Sequence, residues 1–120
     1  MTLRGIRGAT TVDTDQPEKI LAATQELLEA ISRANSGLCP EDIASAFLTT
    51  TDDLVSVHPA LAARQMGWNH VPMMCASEIS VPDGLPRCIR VLIHWNTDCA
   101  QSSIRNIYLR EAAKLRPDLS

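Results

Sequence analysis

Apolar residues in this chain recur with two different periods, and the switches between them predict the order of its elements. Residues 3 to 12, LRGIRGATTV, end in β-branched side chains and carry two glycines. That predicts an extended strand where another backbone or a ligand comes close. Alternation puts Leu3, Gly5, Arg7 and Ala9 on one of its faces. The period then lengthens: Ile20, Leu21, Thr24, Leu27, Leu28 and Ile31 recur at helical spacing. Residues 17 to about 34 are therefore expected to form one amphipathic helix. Asp15-Gln16-Pro17-Glu18 ahead of it resembles a capping box with proline in the first turn, and Asn35-Ser36-Gly37 ends it.

Cys39-Pro40-Glu41-Asp42 predicts a turn or short helix, and IASAFLTTT after it a second, buried strand ending at Asp52-Asp53. Pro59 opens a short helix, ALAARQM, which Gly67 stops. VPMMC, residues 71 to 75, reads as a short strand, and Asp83-Gly84 as a turn. RCIRVLIHWNT, residues 87 to 97, carries the strongest strand pattern in the chain. Its faces are Cys88, Arg90, Leu92 and His94 against Ile89, Val91, Ile93 and Trp95. A helical turn at Gln101 to Asn106 leads to Tyr108 and the tail EAAKLRPDLS. The sum is an α+β domain over residues 1–120, with one long helix laid across a mixed sheet. One long helix covers one sheet face only. The other face needs a partner, and self-association into a closed ring supplies it.

With aromatics at only 3% of residues, the core has to rest on Leu, Ile, Val, Ala and Met. A net charge of −3 without any basic run lacks the electrostatic footprint of a nucleic-acid or anionic-membrane binder. No segment approaches the roughly 18 to 20 apolar residues of a membrane span, and the N-terminus has no signal-peptide pattern, so a cytoplasmic location is expected. Cys39, Cys75, Cys88 and Cys99 match neither a zinc pair nor a secreted disulfide framework, and His58, His70 and His94 share no helical pairing. No metal site is expected. Nine of the eleven cations are arginine, the residue suited to forked grips on carboxylates.

Position gives those arginines meaning. Arg90 is a permanent cation in the middle of an apolar strand, where an unpaired charge would be costly. Glu78 is the natural acid to pair with it, and the residues alone leave open whether the pair is structural or grips a ligand. Arg7 raises the same question on a strand whose glycines leave room beside the guanidinium. Two arginines and one glutamate would hold a small dianion carrying a hydroxyl. No Gly-rich phosphate loop, GxSxG elbow or HExxH motif is present. Cys75 as a thiol nucleophile lacks any identifiable activating partner.

RGIRGATTV at 4 to 12, GWxxVPxMC through Cys75, the following Glu78, CIRVL at 88 to 92, IRNIYL at 104 to 109 and LRPDL at 115 to 119 together resemble the trimeric monofunctional chorismate mutases. The blocks run in family order over essentially the whole chain. The resemblance implies a mixed five-stranded, ferredoxin-like sheet with one long helix and short helices. Three subunits would close into a pseudo-α/β barrel with sites at their interfaces. It implies that chorismate is rearranged to prephenate, in phenylalanine and tyrosine biosynthesis, without cofactor or metal. Arg7 would grip a carboxylate, and Arg90 the ether oxygen and the enolpyruvyl carboxylate. Glu78 and Cys75 would meet the ring hydroxyl, Tyr108 the enolpyruvyl carboxylate, and Arg64 would come from the neighbouring subunit. Leu115 and Arg116 would help close the site. His58 stands where the family tends to have phenylalanine, Leu61 where lysine is common and Met74 where threonine is common; His58 and Met74 fall among the substrate contacts. The competing reading is a non-catalytic trimer that binds a small carboxylate metabolite in the same cleft.

Overall fold

The computed structural model describes residues 1–115. Five strands, β1 (Thr2–Thr11), β2 (Ile43–Thr50), β3 (Met73–Ser77), β4 (Cys88–Thr97) and β5 (Ile107–Tyr108), form one sheet in the order β3-β2-β4-β1-β5. β4 runs antiparallel to both β1 and β2, while β2–β3 and β1–β5 are parallel pairs, so the sheet is mixed. β1, the long helix α1 (Pro17–Ala34) and β2 form a crossover with β4 inserted between its strands, the split β-α-β arrangement of ferredoxin-like folds. The second crossover uses the short helix α2 (Ala60–Gln65) to carry β2 to its parallel neighbour β3.

Alternation decides what the sheet buries. Ile6, Leu48, Val91, Ile93 and Trp95 point from one face into a core with Leu27, Leu28 and Ile31 of α1. Val12, Ile20, Ala23, Leu54 and Ile89 extend that packing toward the start of the helix. Each such aliphatic side chain contributes about 1.5–3 kcal/mol by leaving water. Gly8 sets the helix-to-sheet distance: a Cβ there would stand 2.8 Å from Ile31 Cδ1 and 3.2 Å from Leu27 Cδ1.

Three expectations from the sequence are corrected. Asp15 does not cap α1, whose N-cap Gln16 makes no side-chain hydrogen bond. Its Oδ1 instead accepts the backbone N–H groups of Val55 and Ser56, both at 3.1 Å. The third strand runs Met73–Ser77 rather than 71–75, because Pro72 has no N–H to give a ladder. β2 is buried on one side only, for Phe47 is 42% exposed on the other. No described helix is long and apolar enough to cross a membrane.

Candidate active site

The face of the sheet turned away from α1 carries the chemistry, and strand register arranges it in rows. One row reads Tyr108, Ala9, Arg90, Thr49, Ala76 across all five strands. The next reads Arg7, Leu92, Phe47, Met74. Arg7 is therefore the diagonal neighbour of Arg90, about 7–8 Å away across the β1–β4 pair. Ala9, Thr49 and Ala76 are small, and Ala9 is buried in a cluster with Cys88, Tyr108 and Ala112. Tyr108 and Arg90 face each other across Ala9 at two strand spacings, about 10 Å.

Glu78 follows the end of β3, and its N–H donates to Thr50 O at 2.8 Å, which extends the β2–β3 pairing by one step. Its Oε1 lies 3.4 Å from Arg90 Nε, with the two side chains 24% and 33% exposed. That is charge pairing without a hydrogen bond: Arg90 Nε is buried with no hydrogen-bond partner among the described residues, and the Tyr108 hydroxyl is in the same condition. Buried donors left this way cost on the order of 1–3 kcal/mol each unless something else accepts from them. Burial also pushes the Cys88 thiol up from its usual range, even with the Arg90 guanidinium beside it pulling the other way. The thiol next to Arg90 is thus a neutral packing group in a cluster with Ala9, Tyr108 and Ala112, against which Leu85 and Leu115 pack.

The remaining sequence-derived residues lie elsewhere on the chain. Cys75 pairs with Leu48, whose partner on β4 is Val91, so its side chain is on the α1 side of the sheet, opposite Arg90. There it lines an open cavity of about 360 Å³ together with His58, Ser56 and Ser77. Arg64 sits exposed in the last turn of α2. Met74 is exposed on the outermost strand, at the end of the apolar row. Arg116 lies outside the described residues. Within one chain, then, Arg7, Glu78, Arg90, Tyr108 and Leu115 are grouped, and His58, Arg64 and Cys75 are not with them. Sequence reading passed over Asn106, whose Oδ1 accepts the Arg7 N–H at 2.7 Å and ties the chain ahead of β5 to β1. It also passed over Thr49 and Ala76, which strand pairing sets in the same row as Arg90.

Two forked cations and one carboxylate beside a buried hydroxyl form a set of groups suited to a small, oxygen-rich anion. The family model described as chorismate mutase type I matches residues 3–119, and the chain belongs to that family. It is 53% identical over 117 residues to "Chorismate mutase AroH" of Thermus thermophilus, covering 98% of this chain and 96% of that protein. It is 48% identical over 121 residues to "Chorismate mutase AroH" of Bacillus subtilis (strain 168), covering 100% and 94%. A solved structure of a chorismate mutase from Clostridium thermocellum superposes with a TM-score of 0.89 at 45% identity, covering 92% of this chain and 97% of that one. The chain is accordingly a chorismate mutase, an isomerase of aromatic amino acid biosynthesis.

Proposed function

We propose that the chain rearranges chorismate to prephenate on the Arg90 face of its sheet, at a site completed by a second copy within a cytoplasmic cyclic trimer. The observation that carries this reading is the pair of buried donors, Arg90 Nε and Tyr108 Oη, left without acceptors among the described residues on either side of Ala9. An ether oxygen and a carboxylate are acceptors of the kind they lack.

The rearrangement is intramolecular, breaking one C–O bond and making one C–C bond in a single step, and it needs neither nucleophile nor base. A protein helps by holding the folded, diaxial conformer and by meeting the charge that develops on the breaking ether oxygen. Arg90 serves the second task. Arg7 and Tyr108 hold carboxylates, while Glu78 accepts from the ring hydroxyl and keeps the Arg90 head oriented. Leu115, packed against Tyr108, leads into Arg116, and the two close the site over bound substrate.

Three of the proposed contacts come from the neighbour. His58 and Cys75 line one cavity, Cys75 on the α1 side of the sheet, and Arg64 follows on α2, whose Ala60 and Ala63 pack into the core on that same side. A neighbouring subunit that presents this side to the Arg90 face joins the two groups. The exposed apolar row Leu92, Phe47 and Met74, beside the site on the same face, supplies surface for that association. Met74 then walls the cleft, and Cys75 donates to the substrate's hydroxyl.

Loss of chorismate's ultraviolet absorbance tests the site. Arg90→Lys keeps the charge but loses the fork, and kcat should fall by about 10²- to 10³-fold. Near-normal turnover in that variant would remove Arg90 from the mechanism.

A further inference from the structure

Both halves of the Arg90–Glu78 pair hang from one short stretch, the end of β2. Glu78 is held through its backbone N–H to Thr50 O. Cys88, two residues before Arg90, donates its N–H to Thr51 Oγ1 at 3.0 Å and accepts from the Thr51 N–H at 3.0 Å. The Thr51 hydroxyl in turn donates to Asp53 Oδ1 at 2.5 Å. Since that hydroxyl receives the Cys88 N–H and gives its own proton to Asp53, the carboxylate fixes the direction in which it can accept.

Asp53 acts a second time on the next residue back. Arg87 sits at φ +48°, in the left-handed region that non-glycine residues rarely adopt. Its N–H donates to both Asp53 oxygens, at 3.2 and 3.0 Å. From the other side its Nε donates to Val12 O at 3.1 Å, and its carbonyl accepts from Val12 N at 3.0 Å. A strained residue thus opens β4, clamped by an exposed carboxylate that makes no ion pair among the described residues.

The clamp bears on chemistry because Glu78 steadies the Arg90 head by charge alone. Arg90 Nε stands 3.4 Å from Glu78 and has no hydrogen-bond partner among the described residues, so where the guanidinium points depends on where the backbone of β4 starts. We infer that Asp53, acting through Thr51 and Arg87, is a positioning residue that sets Arg90 and Glu78 at their working separation. The inference rests on the site proposed above. A misplacement of the order of 1 Å at a reacting group can cost up to about 10² in rate.

Four variants of the full chain, with Arg90→Lys in parallel, decide the matter. Asp53→Ala and the near-isosteric Thr51→Val should each lower kcat by about ten- to hundredfold while KM changes by no more than about threefold. Asp53→Asn, which keeps a side-chain oxygen for the Arg87 N–H, should stay within about threefold of the parent kcat. Arg87→Gly introduced into Asp53→Ala should recover most of the lost kcat, because glycine takes positive φ without a clamp. All rates are read well below the melting temperature, on protein with the parent's far-ultraviolet circular dichroism. If Asp53→Ala does not fold, Thr51→Val against Thr51→Ser makes the same comparison. Parent-like kcat in both Asp53→Ala and Thr51→Val overturns the inference. So does a kcat loss that Arg87→Gly leaves unrepaired, which would make Asp53 a stabilising turn cap and nothing more. Unchanged turnover in Arg90→Lys would instead sink the site itself, and the clamp with it.

Discussion

Tyr108 carries a hydroxyl that folding buries without an acceptor among the described residues, which is costly in the free protein and useful when a carboxylate arrives. Tyr108→Phe should therefore melt at the same temperature or higher, with KM for chorismate raised about tenfold. A variant that melts lower with KM unchanged would make Tyr108 an ordinary core residue. Cys75 offers a contrasting case, because its part in the reaction is to donate one hydrogen bond. Cys75→Ser should retain at least about a third of the activity, since a hydroxyl donates too; complete loss with the fold intact would argue for thiol chemistry. The two residues also mark how far the sequence could be read. Arg7 and Arg90 fall on one face because both strands alternate regularly, and two-residue counting on each strand is enough. Cys75 sits in Val-Pro-Met-Met-Cys, an unbroken apolar run that says nothing about which way each side chain points. The register that turns it from Arg90 comes only from pairing with β2.

At the scale of elements, the contact between α1 and the sheet is the tightest constraint. Gly8→Ala forces a methyl group to within 2.8 Å of Ile31 Cδ1 and 3.1 Å of the Ile107 carbonyl, and backbone cannot yield as a side-chain tip can. A loss of about 1–3 kcal/mol in denaturant unfolding is expected. The start of α1 has a different weakness. Asp15, which looks like a helix cap in sequence, instead ties the helix approach to Val55 and Ser56. The Ser56 side chain leads in holding the Asp15 carboxyl below its usual 3.8; desolvation opposes it, and the backbone N–H groups of Val55 and Ser56 add smaller lowering effects. A lowered folded-state value means the stabilisation is fully present above the unfolded value and lost as pH falls through the folded one. The gap in melting temperature between the parent and Asp15→Asn should accordingly be constant near neutral pH and close below about pH 4. A gap that persists at pH 2 would refute the assignment. Long elements such as α1 and β4 were legible from their periods. β5, two residues long, cannot leave a period, and its strand character depends on pairing with Gly8 and Ala9.

For the whole molecule the decisive question is which subunit supplies which half of the site. The proposed arrangement sets Arg7, Glu78 and Arg90 of one chain against Arg64 of the next around a cyclic trimer, so neither Arg90→Ala nor Arg64→Ala should be active alone. A working site arises wherever a subunit retaining Arg90 is followed, in the direction of the interface, by one retaining Arg64. Every mixed ring contains one such step, whichever variant is in the majority. Random equimolar assembly makes about three quarters of the rings mixed, each with one of three sites intact, so about a quarter of the parent's sites should return. Unfolding the two inactive variants together, refolding them and following chorismate loss measures this directly. Sedimentation and mass analysis of the refolded species show whether trimers form and both subunits enter them. Mixed trimers without activity would mean that Arg64 does not act across the interface, and a site contained within one subunit would predict the same silence.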